Sequence, residues 1–340
     1  MFGFRKGLVA SAVVAVSICT GVSTSFAASN WEFSEDSVNL GINAVSPHVE
    51  RTNGNDRVWY PGLPSTAVVD CNDSGSCTSV AGVGRLGSDF TAVTLPNGTR
   101  RAYFVEMVQG AGTKTVMSAA CTTAECLSVG PSTPIAADVA VSTNERAWGV
   151  PDAVVTPDGK VRVYLVVSPV LTSSCPEKVR SYISDDGISF TQESGYRLEG
   201  GYVDTEVIRA KAGDWLMMTS TGPGCGNGMQ QLFITSSTDG LVWSTPQQLT
   251  NADKRRLDPT AYEVSPNVFR VYYSTADSRM TETYTLRRGT LKIGTGSSAT
   301  ATAKVGAACA KAGAKASVTI AKKKTTITCK MVKKKLVWSK

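Results

Sequence analysis

Histidine is almost absent from this chain of 340 residues, where His48 stands alone. That scarcity argues against zinc held by His and Cys, and the cysteine spacings do not follow the zinc pattern. A serine hydrolase is excluded on similar grounds, since no Gly-x-Ser-x-Gly elbow occurs. There is no Walker loop and no dinucleotide fingerprint. Beyond the first residues no apolar run approaches the ~20 that a membrane-spanning helix needs. The body lacks helical periodicity, and Lys304 to Lys340 contains no acidic residue at all.

What is present begins with an export signal. Met1-Phe2-Gly3-Phe4-Arg5-Lys6 leads into an apolar stretch from Leu8 to Ile18 and a small-x-small site at Ser25-Phe26-Ala27. Residues 1–27 are therefore expected to be removed, leaving a soluble, secreted protein. Cys19 raises the alternative of a lipoprotein, against which Ile18 is too bulky a neighbour. Of nine cysteines, eight remain after cleavage, an even number in an oxidising compartment. Neighbours in sequence pair as Cys71 with Cys77, Cys121 with Cys126 and Cys309 with Cys329. Cys175 and Cys225 are left for each other, one of many formal connectivities.

Charge divides the chain. Residues 28–303 carry twenty-two Lys and Arg against twenty-eight Asp and Glu, whereas Lys304 to Lys340 holds eleven lysines. The segment 294–303, from Gly294 to Ala303, has only Gly, Ser, Thr and Ala, and reads as a flexible linker. The expected organisation is signal peptide 1–27, body 28–293, linker 294–303 and basic module 304–340. In the module, Ala316 to Ile320 and Thr325 to Val332 alternate like strands around a disulfide. Residues Gly306 to Trp338 resemble a small C-terminal module found on exported bacterial proteins. Its lysines suit anionic cell-envelope polymers or lipid head groups, with a simply solvated surface as the bland alternative. Nucleic acid is not expected, because aromatics are not interleaved with the basic residues.

The body repeats at roughly fifty residues. Pro151-Asp152-Ala153-Val154-Val155 turns at Asp158-Gly159 into Val161-Arg162-Val163-Tyr164, and comparable units start at Asp89, Asp204 and Asp258. A weaker first copy has His48 where the others show Asp. The leading positions 48, 89, 152, 204 and 258 are spaced 41, 63, 52 and 54 residues, enough for four strands each. Ser184-Asp185-Asp186-Gly187 followed by Phe190, and Ser237-Thr238-Asp239-Gly240 followed by Trp243, are structural hairpins. The fold class is all-β: a five-bladed β-propeller followed by a small disulfide-stapled β module. Trp31-Glu32-Phe33 is expected to complete the last blade beside Leu291-Lys292-Ile293. A pair of sandwiches or six blades are the alternatives.

The stretch Trp148-Gly149-Val150-Pro151-Asp152-Ala153-Val154, with Gly159-Lys160 and Tyr164 to Ser168, resembles the five-bladed propeller glycosidases, such as arabinanases and β-xylosidases. The resemblance implies a sugar pocket at one end of the central channel, with Asp89, Asp152, Asp204 and Asp258 gathered there. It makes Asp152 the group that tunes the acid, beside a separate Asp as base and a Glu as acid. The chain departs from that pattern: His48 replaces an expected Asp, and the Glu-Gly-Pro segment of the acid is missing. Glu206, on the same strand face as Asp204, is the nearest substitute. Candidate catalytic residues are thus Asp89, Asp152, Asp204 and Glu206, with His48, Trp148 and Asp258 as binding residues. No cofactor is implied, though a ring of aspartates could hold calcium. Sialidases share short Asp turns but require an arginine triad and a Tyr-Glu pair not assignable here. Two functions follow: a secreted carbohydrate-recognising propeller acting as a glycoside hydrolase, or a non-catalytic surface protein that binds glycan or protein and is tethered by its lysines. Leading acids that merely accept backbone N–H bonds between blades would favour the second.

Overall fold

The computed structural model describes residues 30–62, 66–108, 113–135, 147–168, 175–278, 283–294, 315–320, 323–332 and 335–339. The expected signal peptide and all of the linker except Gly294 lie outside them. The first strand is β1 (Trp31–Glu35). Blade I consists of β2 (His48–Thr52), β3 (Asn55–Tyr60), β4 (Ala67–Cys71) and β5 (Cys77–Ser79). Blade II follows with β6 (Ser88–Thr94), β7 (Arg100–Val108), β8 (Thr113–Cys121) and β9 (Val129–Pro134). Blade III has β10 (Ala147–Val155), β11 (Val161–Val167) and β12 (Lys178–Ser184), whose edge pairs with both β13 (Thr191–Gln192) and β14 (Leu198–Glu199). Blade IV has β15 (Tyr202–Arg209), β16 (Trp215–Thr221), β17 (Leu232–Ser237) and β18 (Gln247–Gln248). Blade V has β19 (Arg255–Ser265), β20 (Val268–Ala276) and β21 (Thr285–Ile293), and β1 supplies its outer strand. Trp31 lies opposite Ile293 and Phe33 opposite Leu291, so the chain start closes the ring as the sequence suggests. Closure in this way leaves only short sheet edges.

Alternation explains the packing. Successive side chains of a blade strand enter the two flanking seams, so a central strand reads as apolar throughout. Along β11 every residue is buried. Val161, Val163 and Leu165 pack toward blade II, while Tyr164 packs toward blade IV. Each of the five seams holds one apolar cluster, centred for example on Phe104 between blades I and II and on Met218 between blades IV and V. The two Asp-Gly hairpins lock neighbouring blades. Asp186 Oδ1 accepts the N–H groups of Ile188 and Ser189, and the Gly187 carbonyl accepts the Tyr103 hydroxyl at 2.9 Å. Asp239 repeats this with Leu241 and Val242, and the Gly240 carbonyl accepts the Tyr164 hydroxyl at 2.7 Å. Phe190 and Trp243 meet Tyr103 and Tyr164 edge-on.

Three disulfides match the sequence pairing: Cys71 to Cys77, Cys121 to Cys126, and Cys175 to Cys225. Cys329 is also disulfide-bonded, but Cys309 is outside the described residues. The C-terminal module is a three-stranded antiparallel sheet of β22 (Lys315–Ile320), β23 (Lys323–Val332) and β24 (Lys335–Ser339). The third strand, Lys335 to Ser339, extends the hairpin read from the sequence. No helix of the described residues is long and apolar enough to cross a membrane.

Candidate functional site at the channel mouth

The innermost strands β2, β6, β10, β15 and β19 stand side by side around the channel. Near the start of four of them the register to the next strand slips, at Ser88/Thr91, Gly149/Asp152, Val203/Glu206 and Leu257/Thr260. One non-glycine residue in each bulge takes a positive φ: Asp89 at 49°, Val150 at 53°, Asp204 at 55° and Asp258 at 49°. Blade I has its counterpart in Ser46, at 45°. Asp adopts this left-handed conformation more readily than most residues, because its short side chain bonds locally.

The bulges correct the repeat alignment. Equivalent positions are Ser46, Asp89, Val150, Asp204 and Asp258, so His48 and Asp152 belong two residues further along, with Thr91, Glu206 and Thr260. The leading acids therefore form two storeys. Pro47, Pro151 and Pro259, each directly after a bulge residue, carry the correct register in the sequence itself.

Both storeys are tied blade to blade. In the upper storey Asp89 Oδ2 accepts the N–H of Val150 at 3.2 Å, Asp204 Oδ2 that of Asp258 at 3.3 Å, and Asp258 Oδ2 that of Ser46 at 2.9 Å. In the lower storey Asp152 accepts the Thr91 hydroxyl at 3.0 Å and the N–H of Val207 at 2.5 Å. Glu206 Oε1 accepts the N–H of Ala261 at 3.0 Å, and Thr260 Oγ1 that of Val49 at 3.1 Å. Each bond crosses a seam, where a buried N–H would otherwise lack a partner.

Burial penalises charge on these acids. It raises Asp152 to about 6, with the hydrogen bonds and His48 opposing. Glu206 is pushed well above the ordinary range by burial and by the charge of Asp152. Asp204 is raised by burial, and Asp258 well above the ordinary range by burial and the charge of Asp204.

Space is distributed unequally. A space of about 20 Å³, room for one water, is lined by His48, Thr91, Asp152 and Glu206 together with Asp89 and Asp258 of the upper storey. Above the bulges, a cavity of about 190 Å³ opens at the mouth, lined by Asp89, Asp204, Asp258, Gln230 and Arg255 among apolar Val203 and Leu257. His48 does not reach it. Its Nε2 lies 3.3 Å from Glu50 Oε1, and its ring packs against Trp59 and Phe90. The side chain of Trp148 lies outside the described residues. Among the described residues no group of three or more His, Cys, Asp and Glu is arranged to hold a metal ion.

Two cavity groups, Arg255 and Gln230, and one residue beside the cavity, Glu177, carry no mark in the sequence. Arg255 donates from Nη2 to Gln230 Oε1 at 2.8 Å and lies 5.0 Å from the Tyr284 ring centroid. Glu177, only 2% exposed, lies against Gly222 beside the cavity wall, and its Oε2 has no hydrogen-bond partner. Neither Arg255, Gln230 nor Glu177 belongs to the repeat, so no periodic signal marks them.

No protein-family model and no curated protein matches this sequence. Solved structures do. A thermostable family-43 glycoside hydrolase aligns with a TM-score of 0.55 at 14% identity, over 75% of this chain and 91% of that one. An endo-arabinase from Bacteroides thetaiotaomicron aligns with a TM-score of 0.54 at 10% identity, covering 75% and 96%. An α-L-arabinanase of Cellvibrio cellulosa, solved with arabinohexaose, gives 0.54 at 11% identity, covering 73% and 91%. At such identities the likeness is one of fold, and the chain folds as the five-bladed propellers of family-43 glycoside hydrolases do.

Proposed function

We propose that this protein is a secreted carbohydrate-recognising propeller whose mouth cavity takes one sugar residue of a glycan. One observation carries this choice: the 190 Å³ cavity is lined by Asp89, Asp204 and Asp258 with Gln230 and Arg255, whereas Asp152 and Glu206 line only the adjoining space of about 20 Å³. Glycoside hydrolysis needs two carboxyl groups flanking the sugar with room for it between them. The lower storey offers the carboxyls without the room. Support for a sugar ligand comes from the fold, which is shared with structures named as acting on arabinan. Disulfides in the body agree with export. The division into body, linker and basic module belongs to the same proposal, with the eleven C-terminal lysines holding the propeller near anionic envelope polymers.

A hydrolase remains the second reading, favoured by the raised proton affinity of Asp152 and Glu206, which is what a general acid needs. A glycan array and a panel of aryl glycosides and polysaccharides separate the two. Binding without turnover, weakened by Asp204→Asn, supports recognition. Turnover lost in folded Asp152→Asn and Glu206→Gln variants establishes the hydrolase. Silence in both assays overturns both and points to a protein partner.

A further inference from the structure

The C-terminal module sorts its residues between two faces. Side chains alternate along a strand, and residues directly opposite on neighbouring antiparallel strands share a face. Along β23 the alternation shows in burial: Ile327 and Cys329 are buried, whereas Thr326 and Lys330 are exposed and Thr328 is half-buried. The register carries that division across the sheet. Ala316 pairs with Ile327, Cys329 with Trp338 and Met331 with Leu336, which makes one face mostly apolar. On the other face Lys315 pairs with Thr328, Lys330 with Val337 and Val332 with Lys335.

Three lysines of that second face form a diagonal row. Lys315 lies level with Thr328, Lys330 is two residues further along β23, and Lys335 lies level with Val332, two further still. Each step crosses to the next strand and advances two residues, so successive positions are about 7–8 Å apart. Lys324 lies on the same face, opposite Thr319. The module holds no acid to break up the row, and the hydroxyl residues Ser317, Thr326, Thr328 and Ser339 fill positions around it. No aromatic residue shares this face, since Trp338 pairs with Cys329 on the other.

We infer that this face binds a linear phosphodiester polymer whose phosphates are joined by a short polyol, one phosphate to each of Lys315, Lys330 and Lys335. A three-carbon polyol leaves six skeletal bonds between successive phosphorus atoms, as many as two extended residues contain, and so repeats at about 7 Å. Polymer and row therefore match in charge spacing. Each phosphodiester has one negative charge and two unbridged oxygens, which accept from an ammonium and a neighbouring hydroxyl together. A polymer with carboxylates on flexible side chains has no fixed repeat and gains less from the row. The inference rests on the basic module as an envelope tether, and adds to it the binding face and the chemistry of the polymer.

Interferometry with the full mature protein tests this against immobilised poly(glycerol phosphate), polyglutamate of equal charge, phosphatidylglycerol vesicles and oligothymidylate. Poly(glycerol phosphate) is expected to bind at least tenfold more tightly than the other three. The triple change Lys315→Gln, Lys330→Gln and Lys335→Gln should weaken it at least tenfold. The slope of log affinity against log salt should flatten by about 2 in that variant. Arg at the same three positions should keep the binding, which separates lost charge from a misfolded module. Gln at Lys304, Lys311 and Lys323 removes equal charge, with Lys323 paired to Ile320 on the apolar face, and should weaken binding by less than about threefold. Equal loss in the two Gln triples overturns the binding face while leaving the tether reading standing. Polyglutamate bound as tightly overturns the phosphodiester, and a preference for vesicles or oligothymidylate replaces the polymer with a bilayer or a nucleic acid. Binding of none of the four overturns the inference and the tether together.

Discussion

Glu206 Oε1 in blade IV accepts the backbone N–H of Ala261 in blade V at 3.0 Å. The bond makes Glu206 a strut between blades. Truncation to Ala strands a buried N–H and is expected to cost about 1–3 kcal/mol, whereas Gln, which keeps the acceptor, should be nearly neutral. Thermal denaturation of the two variants checks this. Equal stability of Ala and Gln variants would remove the strut role and revive Glu206 as a group kept for chemistry.

Acidity should stabilise the propeller between pH 4 and 7. Asp152 titrates at about 6 in the fold, against about 3.9 in an unfolded chain. The folded state therefore holds the proton more tightly. Its stabilisation is full below about pH 4 and is lost as the pH rises through 6, on the order of 3 kcal/mol for this group. Glu206, Asp204 and Asp258 shift in the same direction. Asp186 and Asp253, held down at about 2, act in the opposite sense but below pH 4. The Tm should fall from pH 4 to 7.5, with a shallower slope in Asp152→Asn. A profile that rises over this interval contradicts the burial account.

Val150 holds φ at 53° although its branched Cβ disfavours that conformation. The equivalent residues in blades II, IV and V are aspartates. Val150→Asn keeps the N–H that bonds Asp89 and relieves about 1 kcal/mol of strain. The expected result is a Tm higher by about 2–4 °C; a lower Tm would mean that the Val150 side chain packs too well to replace.

Asp56 is wholly buried at the seam between blades V and I, where it accepts the hydroxyls of Tyr262 and Tyr272 at 2.5 and 2.7 Å and pairs with Arg51 and Arg270. Removing the carboxylate leaves these donors facing each other. Asp56→Ala should cost about 3–5 kcal/mol in a denaturant titration. A loss under 1 kcal/mol would show that the β1 strand alone closes the ring.

The bond from Cys175 to Cys225 spans 50 residues and joins blade III to blade IV. Restricting so long a loop in the unfolded chain contributes about 2–4 kcal/mol. Cys175→Ser with Cys225→Ser should lower stability by that amount in a denaturant titration. Gly201→Ala tests the same contact without removing sulfur, since its Cβ would lie 2.2 Å from Cys225 Sγ.

Much of the architecture is local and therefore legible in the sequence. Strands alternate, Asn-Gly and Asp-Gly dipeptides force hairpins, and the recurrence of one strand-turn-strand unit implies blades. The pairing of Trp31 with Ile293 follows because a ring of blades needs one strand from the chain start to complete its end. Cysteine order suggests two disulfides because short loops close most readily, and it leaves Cys175 for Cys225. The register of the repeat is where the sequence misleads. His48 and Asp152 look like partners of Asp89 and Asp204 because all are polar residues heading an apolar strand. The bulge that offsets them by two residues is a backbone feature.

Composition and spacing by themselves determined an all-β propeller with an acidic body and a basic tail, because hydrophobic alternation and turn chemistry act between near neighbours. Tertiary structure alone decided which of the seam-bonding acids also face the larger cavity. Proton affinity, free volume and the company of Gln230 and Arg255 arise only when residues distant in sequence are brought to one end of the channel.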